Sequence, residues 1–531
     1  MRRARALASL AALAAVLAPL APVAAATPAD VLIEDGLVYD GGEGEPVTAD
    51  VVITGERIVY VGLAARARFA PRTVIEASHR LVLPGFIDAH AHPDTYVRSA
   101  ERTERLNAPW LFQGATTLLV GVDGAGTPDV EAERARFERD GIGTNLVPYV
   151  GFGAVRERVL GHERRAPTAA ELASMRALVA KGMCEGAVGL STGLFYAPQS
   201  FAATAEVVEL AREAAVRGGL YDTHQRDESS YSIGLLNSVR EVLDIGREAG
   251  LPVHIAHIKA LGVDVQGQAP AVIGLIDAAR AKGQVVTADQ YPWSASGSNL
   301  EASLVPLWAF DGGRPALLKR LADPALQPRL ETAMTDNLRR RGGPESLLLT
   351  SAGTPWVGRT LGAVAGDWHV EPLEAARRII ASGEGRDDVA SFNMSEADIR
   401  LFMRSPWVVT SSDGSDGHPR QYATFPYKYR HYVNETHVLA LGEFIAGSTG
   451  RTADLFGLDH RGYLRAGYFA DVLVIDPATY APEADYVHPR RLSKGVTDLW
   501  VNGRAVIRNG ALTGEAPGRV LRHAVPKGRC P

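Results

Sequence analysis

Cysteine is nearly absent from this chain of 531 residues: only Cys184 and Cys530 occur, the second one position from the end. So few thiols exclude a disulfide scaffold and a Cys-rich structural metal module. Neither cysteine sits in a recognisable ligand or nucleophile pattern, and the two are not expected to bridge. A basic excess is also missing, since 56 Lys and Arg stand against 61 Asp and Glu. That balance gives no electrostatic footprint for nucleic acid and no like-charged interaction tail. A small, mildly anionic or zwitterionic partner suits it better. The oligomeric state is not legible.

An uninterrupted apolar run of membrane-spanning length is lacking too. The longest candidate follows Arg2, Arg3 and Arg5 in "MRRARALASLAALAAVLAPLAPVAAA", and Pro19 and Pro22 break its end short of the roughly 20 residues a span requires. Charged start, apolar middle and small residues at Ala24 and Ala26 read as an export signal over residues 1–26, the alternative being a membrane anchor. A chain cleaved before Thr27 is expected in the periplasm or secreted, with no membrane association afterwards.

What is present is a series of short apolar runs bounded by turn signals: "LPGFIDAHAH", "ATTLLVGVDG", "TNLVPYVG", "AVGLSTG", "LYDTHQ", "PVHIAHIK", "VVTADQYP" and "WVVTSSDG". Helical patterns lie between several of them, among them "TAEVVELAREAAVRGG" and "SVREVLDIGREAG", which close on glycine as helix C-termini do. Eight strands alternating with helices predict an α/β fold, a (β/α)8 TIM-like barrel over residues 83–459. Residues 27–82 and 460–531 are β-rich with hairpin signals, so both chain ends are expected to build one small β-domain. The span 295–400 is too long for a loop between strands seven and eight and reads as an inserted subdomain.

The ends of these runs carry the polar residues. In "GFIDAHAHPD", Asp88, His90 and His92 fall at two-residue spacing after an apolar strand, where alternation turns them to one side. His224, His257 and Asp413 end runs five, six and eight, and Asp123 ends run two. Four histidines and a carboxylate at one rim supply the nitrogen and oxygen donors of a catalytic zinc site. A lone strand-end histidine is more often structural; the set is not.

With these motifs in view, the chain resembles the metal-dependent amidohydrolase superfamily and, within it, the D-aminoacylases (N-acyl-D-amino-acid deacylases). The likeness spans nearly all of the mature chain and includes "EGAVGLSTGLFYAP", "THQRDE", "GLPVHIAHIKALG", "DQYPW", "HPRQYATFP" and "RGYLRAGYFADVLVIDP". It implies one or two Zn²⁺ ions, with His90 and His92 at one site, His224 and His257 at the other, and Asp413 as general base. One position departs: where the family has a cysteine ligand after strand two, this chain has Asp123, a harder donor. Asp123 reads as a ligand or as a displaced, non-ligating residue.

The resemblance also implies hydrolysis of the amide of an N-acyl-D-amino acid, giving a carboxylate and a D-amino acid. Lys259, two residues beyond His257, is the candidate partner of the substrate carboxylate, unless it is a solvated loop lysine. For Tyr196 and Tyr291 the readings are substrate contact or barrel packing. The competing functions are a D- or isoaspartyl dipeptidase, a cyclic-amide hydrolase, or a barrel kept only for binding.

Overall fold

The computed structural model describes residues 26–530. The expected export signal at 1–26 lies outside these residues apart from its last position. Among the described residues, no helix is long and apolar enough to cross a membrane.

Eight parallel segments frame the site: β1 (Phe86–Asp88), β2 (Ala115–Val120), β3 (Asn145–Pro148, continued by Val150–Gly151), β4 (Gly189–Gly193), β5 (Leu220–His224), β6 (Val253–Ile255), β7 (Val286–Gln290) and β8 (Val408–Thr410). Each pairs with the next. The series returns to its start where Ala89 N–H donates to Thr410 O at 3.4 Å and Asp413 N–H to His90 O at 2.8 Å.

Helices cover the outer faces, and their sequences show why. Helix Leu235–Ala249 buries Val239, Val242, Ile245, Gly246 and Ala249, a 3.6-residue stripe, and stops where Gly250 turns to φ +76°. Helix Ala169–Cys184 starts at Thr168, whose hydroxyl and Glu171 form a reciprocal cap. Their stripes pack against Leu190, Val253, Ile255, Val286 and Ala288 in one apolar core. The inner faces are polar instead: Ser191 Oγ donates to Gly121 O at 2.6 Å, and His254 Nε2 meets Asp289 Oδ2 at 2.8 Å.

Both chain ends meet in a nine-stranded sheet, in which Leu81–Pro84 lies between Thr27–Val38 and Val472–Ile475. The apolar run "LVLPGFI" therefore splits at Gly85: its first half belongs to this sheet and its second half is β1. The unit expected to stop at 82 continues through Leu83 and Pro84, which pair with Leu473 and Val472.

After β7 the chain enters an antiparallel three-stranded sheet of Ala295–Asn299, Leu347–Leu349 and Asp388–Phe392. Its helices close a separate core around Leu304, Leu330, Leu361 and Ile379. Position 400, the expected end of this insertion, falls inside helix Glu396–Met403.

One expectation is corrected outright. Cys184 and Cys530 form a disulfide across a sequence separation of 346. Nothing in either residue's local sequence signals the pairing. It arises because the C-terminal tail runs along the strands, as Leu521 N–H bonds Leu146 O and His523 N–H bonds Gly186 O.

Candidate metal centre

Asp88 does not join the imidazoles. Its carboxylate accepts from Ser412 N–H at 2.8 Å and Trp110 Nε1–H at 2.9 Å, so it ties the end of β1 to the segment after β8. Burial pushes its pKa up to about 7 against these donors.

Asp123 stands at the centre. Its Oδ1 lies 3.4 Å from His90 Nε2, 3.5 Å from His257 Nε2 and 3.8 Å from His224 Nδ1, and its Oδ2 lies 3.5 Å from His92 Nε2. Asp413 Oδ1 closes the group, 3.3 Å from His92 Nε2 and 3.8 Å from His90 Nε2. Asp123, His257 and Asp413 hold positive φ values of 55°, 34° and 46°. Non-glycine residues rarely adopt that region, and strain of this kind collects at functional sites.

These separations are too long for good hydrogen bonds. They match the distance between neighbouring ligands of a tetrahedral ion, about 3.4 Å when each ligand is about 2.1 Å from the metal. His90 Nε2, Asp123 Oδ1 and His224 Nδ1 are buried and find no hydrogen-bond partner among the described residues. Orphaned groups at that depth are costly unless something satisfies them. The donor set fits a divalent cation.

The electrostatics agree. Burial opposes charge on His92, yet Asp123 and Asp413 overrule it and push its pKa up to about 10. His257 also rises to about 10, against burial and Lys259, through Asp413, Glu228 and Asp123. For His224 burial prevails and lowers the pKa to about 4. Asp123 is held well below the carboxylate range, the surrounding histidines outweighing burial. The cluster demands positive charge.

Residues behind the cluster aim it. Asp289 Oδ1 accepts His257 N–H at 2.9 Å, and Glu228 Oε1 lies 3.2 Å from His257 Nδ1, leaving Nε2 toward Asp123. Arg420 Nη1 donates to Asp413 Oδ2 at 2.6 Å, and His418 Nδ1 accepts Arg420 N–H at 3.1 Å. Arg226 turns to Glu241 instead.

The cluster opens into a cavity of about 400 Å³. Tyr196, Lys259 and Tyr291 all line it, so the structure brings these three to the metal-ligand candidates. Lys259 is not a solvated loop lysine: it is buried, with Nζ 2.6 Å from both Glu228 Oε1 and His257 Nδ1. The Tyr196 ring lies 4.8 Å from that of His224, and burial raises its phenol pKa, so it remains a donor. Tyr291 lies beneath the Arg420 guanidinium at 5.0 Å.

Glu228 and Arg420 are the residues that reading the sequence missed. Both sit inside conspicuous motifs, "HQRDE" and "HPRQ". Their partners, Lys259 and Asp413, are set by the fold.

The profile of the Amidohydrolase family matches residues 73–507. A D-aminoacylase of Alcaligenes xylosoxydans xylosoxydans is 32% identical over 526 residues, covering 93% of this chain and 98% of the relative. An N-acyl-D-aspartate deacylase of the same organism is 31% identical, covering 94% and 96%. Among solved structures, an N-acyl-D-glutamate deacylase of Bordetella bronchiseptica, complexed with zinc and a phosphonate mimic of the tetrahedral intermediate, superposes with TM-score 0.79 at 30% identity. It covers 93% of this chain and all of the other. A D-aminoacylase with a binuclear metal centre superposes at 0.78 and 29% identity, with the same coverage.

Proposed function

The chain belongs to the amidohydrolase family, and from that premise we propose that it hydrolyses the amide bond of N-acyl-D-amino acids, releasing a carboxylate and a D-amino acid. The observation that carries this reading is Asp123 set among four histidines with Asp413 beside it, on the wall of a cavity of small-molecule size. The relatives named D-aminoacylase, N-acyl-D-aspartate deacylase and N-acyl-D-glutamate deacylase supply the substrate class. We read the closed series β1–β8 as a (β/α)8 barrel, the ions as one or two Zn²⁺, and residues 1–26 as an export signal that sends the enzyme to the periplasm or beyond.

In this reading His90, His92, Asp123, His224, His257 and Asp413 hold the metal. A divalent ion held there polarises the scissile carbonyl and acidifies water. Asp413 moves the proton. Its Oδ2 is fixed by Arg420, while Oδ1 faces the cluster, takes a proton from the attacking water and returns it to the departing amine. Were His257 Nε2 to hold the metal, the ring proton would sit on Nδ1, which faces Glu228 Oε1. Lys259, paired with Glu228 on the cavity wall, would offer its ammonium to the substrate's α-carboxylate. Tyr196 and Tyr291 contribute phenol donors to the same wall.

The test is amine release from paired N-acetyl-D- and N-acetyl-L-leucine by protein stripped with a chelator and reloaded with Zn²⁺. The expected result is turnover of the D form, abolished by stripping and restored by reloading. Full activity in protein shown by elemental analysis to be metal-free would overturn it.

A further inference from the structure

The cavity wall holds a third cation beside Lys259 and Arg420. Arg341 follows helix Gln327–Arg340 of the insertion and turns its side chain inward, where the residue is only 3% exposed. Its Nε donates to Tyr231 Oη at 2.6 Å, and its Nη1 reaches Ser296 Oγ at 3.4 Å. Lys259 and Arg420 each hold a carboxylate, Glu228 and Asp413. No such ion pair forms at Arg341 among the described residues; both of its side-chain partners are neutral hydroxyls.

A guanidinium cannot relieve its burial by losing a proton, so a buried one without a counterion is a charge waiting for a partner. Its place in the cavity says which partner. The Tyr231 ring stands 5.6 Å from the Arg341 guanidinium carbon and 5.4 Å from the Phe195 ring, and Phe195 in turn stacks on His224 at 5.7 Å. Contacts thus run from Arg341 through Tyr231 and Phe195 to His224. The Arg341 side chain bonds to Tyr231 and Ser296 and, among the described residues, to none of the metal-ligand candidates, which suits it to a substituent of the substrate rather than to the reacting amide.

We propose that Arg341 forms a subsite for a second carboxylate on the substrate, making dianionic N-acyl-D-amino acids the preferred class. The proposal rests on the deacylase reading above. Asp388 lines the same cavity and has no Lys or Arg partner among the described residues, so it is the natural argument for a cationic substituent instead. Ser351 Oγ–H already donates to its Oδ2, and burial pushes its pKa up to about 6, toward the neutral form. A guanidinium has no neutral form within reach, so of the two it is Arg341 that calls more strongly for a counterion.

A substrate panel on Zn²⁺-loaded enzyme tests this. N-acetyl-D-glutamate against its neutral isostere N-acetyl-D-glutamine reads a carboxylate on the side chain; N-succinyl-D-leucine against N-butyryl-D-leucine reads one on the acyl group. One pair should favour the dianion at least tenfold in kcat/KM, and which pair does so identifies the source. Arg341→Met should cut that preference at least tenfold, mainly through KM, and Arg341→Lys should restore part of it, with thermal melts run on both variants. Equal rates within both pairs, faster turnover of N-acetyl-D-lysine than of either dianion, or an equal loss on all substrates in Arg341→Met overturns the subsite. If none of these substrates is hydrolysed, the deacylase reading itself fails and the subsite falls with it.

Discussion

Arg420 Nη1 lies 2.6 Å from Asp413 Oδ2, and the other oxygen of that carboxylate faces His92 at 3.3 Å. One carboxyl group is thus anchored on one side and free to work on the other. Burial alone would favour its neutral form, but Arg420 and the histidines hold it well below the usual carboxylate range. An ionised, aimed carboxylate suits the general-base role proposed for Asp413.

Asp413→Asn keeps the shape and removes the proposed base. The variant is expected to retain most of its metal while kcat falls by about 10² to 10⁴-fold, the usual contribution of general acid–base catalysis. Elemental analysis beside single-substrate kinetics checks both halves. Turnover near the parent rate would place the base elsewhere.

Asp123→Ala should weaken metal binding, and Asp123→Cys should recover it with a preference moved toward zinc and thiophilic ions, because thiolate is the softer donor. Competition titrations against a chromogenic chelator give the affinities. A metal-loaded structure supplies the separate criterion: about 2.0 to 2.2 Å from ion to carboxylate oxygen for ligation.

Glu228→Gln removes the carboxylate behind His257 and the partner of Lys259. Groups that orient metal-bound histidines commonly contribute 10 to 100-fold in affinity or activity, and a loss of about that size is expected here. The same chelator titration measures it. An unchanged affinity would show that Glu228 serves Lys259 alone.

Lys428 offers a test of stability away from the metal. It is buried, donates to Thr410 Oγ1 at 3.0 Å, and burial lowers its pKa from 10.5 to about 7. Above pH 10.5 both folded and unfolded chains leave it neutral; between there and about 7 only the unfolded chain takes the proton. Stability at this site therefore falls as pH drops through that window and is level below it. Lys428→Met should stabilise the protein at pH 7 by on the order of 1 to 3 kcal/mol, less the lost hydrogen bond. Melting curves at pH 7 and pH 10 check the sign: the gain must shrink at the higher pH.

His90, His92, His224, His257 and Asp413 were legible in the sequence because each follows an apolar strand, and parallel strands bring such ends to one rim. The partners were not. Asp413 and Arg420 are only seven positions apart, yet their pairing depends on how the chain after β8 folds back; Glu228 and Lys259 come from different strand ends. Arg341 sits far away in an insertion whose helices carry no metal-site pattern. The Cys184–Cys530 bridge escaped for a related reason, because it depends on where a long irregular tail lies. The split of "LVLPGFI" was hidden by composition, since both halves are apolar strand and only the course of the chain after Gly85 separates them.

The shared sheet has a consequence for how the protein is made. Leu81–Pro84 needs Val472–Ile475 along one edge, and the ribosome delivers that partner only tens of seconds later at about 5 to 20 residues per second. Throughout the interval a short apolar strand offers unpaired amides and carbonyls to any neighbour, the condition that invites aggregation. A message cut short before codon 472 would yield an open-edged sheet rather than a smaller enzyme, and such products are expected in the insoluble fraction even when every histidine of the candidate metal centre has been translated.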